Sequence, residues 1–92
     1  MYPEFEWDPV KEKNNLKKHG IRFTQAVTAL EDDFAITLED DYFGERRFIT
    51  LGQDETGRLI VLVYAYRGER IRIISARKAT AAERQVYESE RI

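Results

Sequence analysis

One ten-residue stretch, Glu69-Arg-Ile-Arg-Ile-Ile-Ser-Ala-Arg-Lys78, restricts the possible folds of this chain more than any other. Its isoleucines are β-branched and fit the pleated, half-buried surface of a β-strand. Because side chains alternate along a strand, one face is predicted to carry Ile71, Ile73, Ser75 and Arg77. A strand with four cations is not buried on both sides. It is therefore expected to anchor in a core and to present positive charge at an edge or end of a sheet.

Positive charge is concentrated in the C-terminal part of the chain, although the formal net charge is −2. Residues 1–56 hold 7 basic and 13 acidic residues, whereas residues 57–92 hold 8 and 4. This asymmetry predicts an anion-binding surface built from the C-terminal half. Lysine and arginine also protect exposed sheet edges from pairing, so the charge pattern alone leaves that structural role open.

Length and residue types exclude several classes of protein. Ninety-two residues predict a single domain over residues 1–92. The absence of cysteine excludes a disulfide framework and a zinc–thiolate site. No apolar run approaches the roughly 20 residues of a membrane span, and the N-terminus lacks signal-peptide features, so we expect a cytoplasmic protein. With one histidine and no metal-binding spacing of carboxylates, no metal and no cofactor are expected.

The first part of the chain is predicted to be mainly helical. Residues 5–7 alternate apolar and acidic side chains and form a possible short strand. A helix then begins at Asp8-Pro9, a good N-cap followed by a residue suited to the first turn, and ends at Gly20. The apolar spacing from Phe23 to Leu30 predicts a second helix, which covers the sheet.

The rest of the chain is predicted to form a sheet and a final helix. Strands are expected at residues 34–38, 46–51, 58–66 and 69–78, with a loop at residues 39–44. Short connections make these strands antiparallel. The capping box Thr80-Ala-Ala-Glu83 begins the last helix. The predicted class is α+β: an antiparallel sheet of about four strands plus the possible N-terminal strand, with two N-terminal helices and one C-terminal helix, mainly on one face.

The cations suit a ribonuclease that uses no metal. In RNA the 2′-hydroxyl attacks its own neighbouring phosphate, so the protein has to position that phosphate, neutralise developing charge and move protons. Arginine binds phosphate oxygens bidentately and stays charged. The candidate cationic surface comprises Lys11, Lys18, His19, Arg46, Arg47, Arg67, Arg70, Arg72, Arg77, Lys78 and Arg84.

Other side chains offer proton transfer or base stacking, each with a structural alternative. His19, Glu83 or Tyr87 can move protons, and Tyr64, Tyr66 or Tyr87 can stack on a base. Yet a histidine at a helix C-terminus also stabilises the helix dipole. Glu83 already has a capping role, and tyrosines in strands are commonly core residues.

Three separated motifs resemble the BrnT toxin family over nearly the whole chain. They are Trp7-Asp-Pro-x-Lys11-x-x-x-Asn15-x-x-Lys18-His19-Gly20, Gly44-Glu-x-Arg47-x-x-x-Leu51-Gly52, and Arg70-x-Arg72-Ile-Ile-Ser-Ala-Arg77-Lys-Ala with Glu83-Arg84 and Tyr87. The resemblance implies a RelE-like fold and a ribonuclease toxin of a bacterial type II toxin–antitoxin system that inhibits translation. It also implies a BrnA-like antitoxin as partner, with DNA contacted only indirectly through that antitoxin. The chain departs from the family at Arg22, where a helix-capping serine or threonine is common.

Site residues are assigned from the motifs and the cationic pattern together. The expected catalytic residues are Arg77 as the main phosphate contact, Arg47 as a second contact, His19 as proton carrier, and Glu83. The expected RNA-binding residues are Lys11, Asn15, Lys18, Arg46, Arg67, Arg72, Lys78, Arg84 and Tyr87. A second hypothesis stays open: a non-catalytic binding protein or co-repressor, which acts only with an antitoxin on operator DNA.

Overall fold

The computed structural model describes residues 4–90, apart from the side chain of Tyr42. The outer parts of the predicted 1–92 domain, residues 1–3 and 91–92, lie outside the described residues. The elements are the strands β1 (Glu4–Glu6), β2 (Ile36–Tyr42), β3 (Glu45–Gln53), β4 (Leu59–Arg67) and β5 (Arg70–Lys78), and the helices α1 (Pro9–His19), α2 (Phe23–Ala26) and α3 (Ala81–Ser89), with a 3₁₀ helix at Val27–Glu31.

The strands form one sheet in the order β1-β5-β4-β3-β2. Strands β2 to β5 are antiparallel, as their short connections predict, which confirms the α+β class. The expectation of a wholly antiparallel sheet is wrong, because β1 pairs in parallel with β5. A parallel pairing needs a long connection, and the connection from β1 to β5 runs through residues 7–69.

The predicted loop at residues 39–44 is also wrong. Strand β2 continues to Tyr42, and only Phe43 and Gly44 form the turn to β3, with positive φ angles of 50° and 79°. Such angles match the twist of a two-residue hairpin. The acidic residues of this segment are paired in register with β3, where Asp40 lies opposite Arg47 and Asp41 opposite Arg46. Charged side chains suit the exposed position of an edge strand. They also interrupt the apolar–polar alternation from which a strand is predicted.

The N-terminal helices begin and end where the sequence predicts, but the second is not one α-helix. Asp8 accepts a hydrogen bond from the Val10 backbone N–H at 2.8 Å, and Gly20 ends α1 in the left-handed region with φ 70°. Arg22 makes no side-chain cap at the start of α2. After one turn the chain tightens into the 3₁₀ helix, although the apolar positions still face the sheet.

Two apolar clusters cover the two faces of the sheet. On one face, α2 and the 3₁₀ helix pack on the strands in a cluster that includes Phe23, Leu62 and Ile73. On the other face, α3 inserts Tyr87 against Leu51 and Val61. The capping box of Thr80 and Glu83 is present as predicted. Among the described residues, no helix has the length and hydrophobicity needed to span a membrane.

Candidate functional site: an arginine face set by a β-bulge

A bulge in β5 decides which face of the sheet carries Arg77. Val63 is paired with Ser75 and the next residue, Tyr64, with Ile73, so Ile74 is an extra residue in β5. An extra residue reverses the alternation of side chains beyond it. The burial of the side chains agrees with this shift: Ile71 and Ile73 before the bulge and Ala76 after it are all buried on the same face. The predicted grouping of Arg77 with Ile71 and Ile73 is therefore wrong.

Four arginines share one face through the regular register, and the bulge adds Arg77 to them. We name this face the arginine face. Antiparallel partners project on the same side of a sheet, and the register pairs Arg77 with Val61, Arg72 with Ala65 and Arg47 with Ala65. Residues two apart on one strand share a face as well. The arginine face thus comprises Arg47, Arg67, Arg70, Arg72 and Arg77.

Arg77 is held by the first turn of α3. Its NH1 and NH2 groups donate to Oε1 and Oε2 of Glu83 at 2.8 Å and 2.9 Å. The Glu83 carboxylate also accepts the Thr80 backbone N–H at 2.8 Å, which completes the capping box. The hydrogen bond from Arg77 lowers the pKa of Glu83 to about 2, and the Thr80 N–H adds to the effect. The same pairing raises the pKa of Arg77.

This pair leaves one edge of the Arg77 guanidinium available. A guanidinium has five N–H donors. The two bonds to Glu83 use one hydrogen of NH1 and one of NH2, and NH1 also donates to the Lys78 carbonyl at 3.2 Å. Within the described part of the chain, Nε and the second NH2 hydrogen have no protein acceptor. These two parallel donors form the geometry that binds two phosphate oxygens.

The other arginines of this face lie near carboxylates in weaker pairs. The N···O distances are 3.1 Å for Arg47–Glu45, 3.2 Å for Arg70–Glu4, and 3.9 Å for both Arg67–Glu45 and Arg72–Glu6. Partly exposed pairs of this kind contribute about 0–1 kcal/mol each. An incoming polyanion therefore meets little resistance when it replaces these carboxylates.

Arg77 and Arg47 are well separated along the arginine face. Their neighbours on β4, Val61 and Ala65, are four positions apart, and β5 and β3 lie on opposite sides of β4. Four residues span about 13 Å and two strand spacings about 10 Å, so the two Cα atoms are roughly 16 Å apart. The face is therefore shaped for a ligand with several anionic groups along its length.

Asn15 links helix α1 to this region. Its amide donates to the Ala76 carbonyl at 2.9 Å and accepts the Ala76 N–H at 3.2 Å, and it also donates to the Ile21 carbonyl at 3.2 Å. The pairing of β1 with β5 ends at Arg72. Beyond that residue, Asn15 provides the hydrogen-bond partners for the backbone edge of β5. Asn15 is buried, and its amide is used for structure.

The position of Asn15 fixes where the other α1 candidates lie. Lys11 and Lys18 are exposed at i−4 and i+3 from Asn15, so they lie on the side of α1 that faces the edge of β5. His19, half-buried, ends α1, and the next residue, Gly20, accepts an Arg58 N–H at 3.4 Å. Arg58 precedes β4 at the end of the sheet where β5 finishes. His19 and Lys18 thus belong to the Arg77 end of the sheet.

Several predicted RNA-binding residues lie away from the arginine face. Arg46 projects from the opposite face, where it binds Glu39 at 2.7 Å and lies 6.0 Å from the Phe48 ring centroid. Lys78 also lies on that opposite face, one residue after Arg77. Arg84 is exposed on α3 at 4.0 Å from Glu88. Tyr87 is buried and donates its hydroxyl to Asp32 at 2.6 Å, which anchors α3.

Sequence reasoning placed Arg70 among the cations but not among the site residues. Arg70 and Arg72 are two residues apart on β5, so strand alternation alone identifies Arg70 as a member of the face. Asp32, which accepts the Tyr87 hydroxyl, gave no comparable signal.

Tyr64 and Tyr66, proposed for base stacking, pack with Phe48 on the opposite face, with ring centroids 5.7 Å and 5.2 Å from the centroid of Phe48. Within residues 4–90, no three histidine or carboxylate side chains are grouped to hold a metal ion.

Comparisons with known proteins point to one family. Residues 7–83 match the family model described as the ribonuclease toxin BrnT of type II toxin–antitoxin systems. The fold is similar to the crystal structure of the Brucella abortus ribonuclease toxin BrnT, with a TM-score of 0.66 and 21% sequence identity, over 86% of this chain and 99% of that one. No curated protein sequence matches the chain.

Proposed function

Because the chain belongs to the BrnT family of ribonuclease toxins of type II toxin–antitoxin systems, we propose that it is an endoribonuclease that inhibits translation by cleaving RNA on the arginine face. The observation that carries this proposal is the bulge at Ile74, which places Arg77 on the same side of the sheet as four other arginines. An extended row of cations fits the phosphates of a single RNA strand. We also propose a RelE-like fold and a cytoplasmic location.

Arg77 is the main phosphate contact in the proposed mechanism. Its Nε and outer NH2 hydrogens bind the oxygens of the scissile phosphate, while Glu83 holds the other edge of the guanidinium. The 2′-oxygen forms a bond to phosphorus while the bond from phosphorus to the 5′-oxygen breaks, which leaves a 2′,3′-cyclic phosphate and a 5′-hydroxyl. Fixed donors stabilise the charge that develops in this step, because they need no reorganisation during the reaction. The nucleophile belongs to the RNA itself, so the reaction as proposed requires no metal ion.

Glu83 acts in this proposal as a positioning residue and not as an acid or base. With its pKa at about 2, the carboxyl group carries no proton to donate at neutral pH. It is also a weak base, and both of its oxygens already accept hydrogen bonds. The imidazole of His19, at the same end of the sheet, is therefore the proposed proton carrier.

The remaining cations bind the RNA on either side of the cleavage point. Arg47, roughly 16 Å from Arg77, contacts a phosphate at a different nucleotide, with Arg67, Arg70 and Arg72 beside it. Lys11 and Lys18 bind from the α1 side. We leave Asn15 and Tyr87 out of the RNA contacts, because both are buried and serve the packing of α1 and α3. A BrnA-like antitoxin neutralises the toxin, and operator DNA is contacted through that partner.

Induced expression of the wild type beside Arg77→Ala tests this function. We expect the wild type to arrest growth and fragment total RNA, and Arg77→Ala to do neither while showing the same circular dichroism spectrum. Arg46→Ala is the matched control, since it removes an arginine from the opposite face. If the wild type leaves growth and RNA unchanged, the enzymatic proposal fails and the non-catalytic co-repressor becomes the better account.

A further inference from the structure

An apolar groove crosses the arginine face beside α3. It has a volume of about 180 Å³ and is lined by Ile36, Leu38, Ile49, Leu51, Val61, Glu83 and Val86. Two of these apolar side chains are strongly exposed, Leu38 by 64% and Val86 by 51%. Leu38 lies opposite Ile49 in the sheet register, so the exposed residues continue into the partly buried ones. Contiguous apolar surface of this kind marks sites of protein association.

The sheet register places the groove between the two proposed phosphate contacts. Val61, in its floor, is paired directly with Arg77. Ile49 is two residues from Arg47 on the same strand and face. A chain segment seated in the groove therefore covers the space between Arg47 and Arg77. It also meets arginines at both ends, so carboxylates that flank its apolar side chains are favoured there.

We propose that the antitoxin inserts an acidic amphipathic segment into this groove and thereby blocks RNA from the arginine face. The apolar side chains of the segment pack on Leu38, Ile49 and Val86, and its carboxylates replace the intramolecular partners of Arg47 and Arg72. The Arg72–Glu6 pair is loose, with an N···O distance of 3.9 Å, whereas Arg47 donates to Glu45 at 3.1 Å in a partly exposed pair. This inference rests on the proposed function, since the antitoxin is the partner that the family implies.

The test uses substitutions that alter the groove without touching an arginine. Leu38→Asp and Val86→Asp introduce negative charge on exposed apolar positions, and Leu38→Lys removes the same apolar anchor with the opposite charge. Val10→Asp is the matched control, because Val10 is 63% exposed on α1, away from the groove. Each variant is purified, checked for an unchanged melting temperature, and titrated with the cognate antitoxin by calorimetry. RNA cleavage is measured with and without the antitoxin.

We expect Leu38→Asp and Val86→Asp to bind the antitoxin at least tenfold more weakly than the wild type. Leu38→Lys should bind more tightly than Leu38→Asp, because an acidic segment is repelled by the added aspartate. Both aspartate variants should still cleave RNA and should escape neutralisation, whereas Val10→Asp should behave as the wild type does.

Three results overturn the inference. One is antitoxin binding by both aspartate variants that equals the wild type. Another is loss of RNA cleavage in both folded variants, which assigns the groove to RNA. The third is a wild-type dimer that Leu38→Asp converts to a monomer, which assigns the groove to a second copy of the chain. A wild type that binds antitoxin through the groove but never cleaves RNA leaves this inference intact and defeats the proposed function, so the two failures are distinguishable.

Discussion

Replacing Glu83 by glutamine isolates the ion pair that fixes Arg77. Glutamine can also complete a capping box, so the start of α3 is preserved while the charge is removed. The pKa of Glu83 lies at about 2 instead of 4.5, a difference equivalent to about 3 kcal/mol if fully expressed. The side chains of Arg77 and Glu83 are 41% and 31% exposed, and solvent screening lowers the expected contribution to about 1–2 kcal/mol.

The sign of the pH dependence follows from the lowered pKa. A carboxyl group whose pKa is lower in the folded state stabilises the protein above the unfolded value of 4.5, and this stability is lost as the pH falls through about 2. The free-energy difference between wild type and Glu83→Gln is therefore complete at pH 7. By pH 3, less than half of it remains.

Urea unfolding followed by circular dichroism, at pH 7 and at pH 3, measures this difference. Glu88→Gln is the control, because Glu88 lies 4.0 Å from Arg84 on the same helix in an exposed pair, which is expected to contribute below about 0.5 kcal/mol. Equal destabilisation of Glu83→Gln at both pH values would refute the reasoning, since the loss would then come from packing and not from the charge. So would an unchanged stability at pH 7.

Three further outcomes are expected. RNA with 2′-deoxyribose on the 5′ side of the cleaved bond should resist the purified protein in EDTA, while the matching all-ribose RNA is cut; cleavage of both, measured on denaturing gels, would contradict the 2′-hydroxyl mechanism. Asn15→Ala should lower the free energy of unfolding by about 2–4 kcal/mol, because Ala76 N–H and C=O lose their buried partner. Urea unfolding measures this difference, and a loss below about 1 kcal/mol would contradict the structural role of the Asn15 hydrogen bonds to Ala76. Tyr87→Phe keeps the ring and loses the hydroxyl bond to Asp32, so a drop of about 1–2 kcal/mol is expected by the same method, and no change would show that the bond contributes nothing.

Periodicity and turn chemistry predicted much of the fold because those signals are local. The alternation in β3, the continuous apolar run of β4, the proline and glycine that bound α1, and the capping box of α3 each depend on a few neighbouring residues. The parallel direction of β1 is not a local property. It depends on the direction of β5, which lies far along the chain, and no residue in β1 indicates that direction.

The candidate site was predicted less completely, and the bulge explains why. Ile74 is neither glycine nor proline, so nothing in the sequence marks the extra residue that moves Arg77 to the other face. Asn15 and Tyr87 occupy motif positions, but a motif does not tell whether a polar side chain meets a ligand or the backbone of its own chain. Their hydrogen bonds to Ala76 and Asp32 join segments 61 and 55 residues apart.

The central claim is that RNA is bound and cleaved on the arginine face, and neighbouring residues on β3 test it most directly. Arg46 and Arg47 are adjacent in sequence, have the same chemistry and project from opposite faces. We would measure cleavage of one labelled RNA by purified wild type, Arg46→Ala and Arg47→Ala at equal concentration. The account predicts a loss of at least tenfold in kcat/KM for Arg47→Ala and a change within about twofold for Arg46→Ala. An equal loss in both variants, or a larger loss in Arg46→Ala, would contradict it.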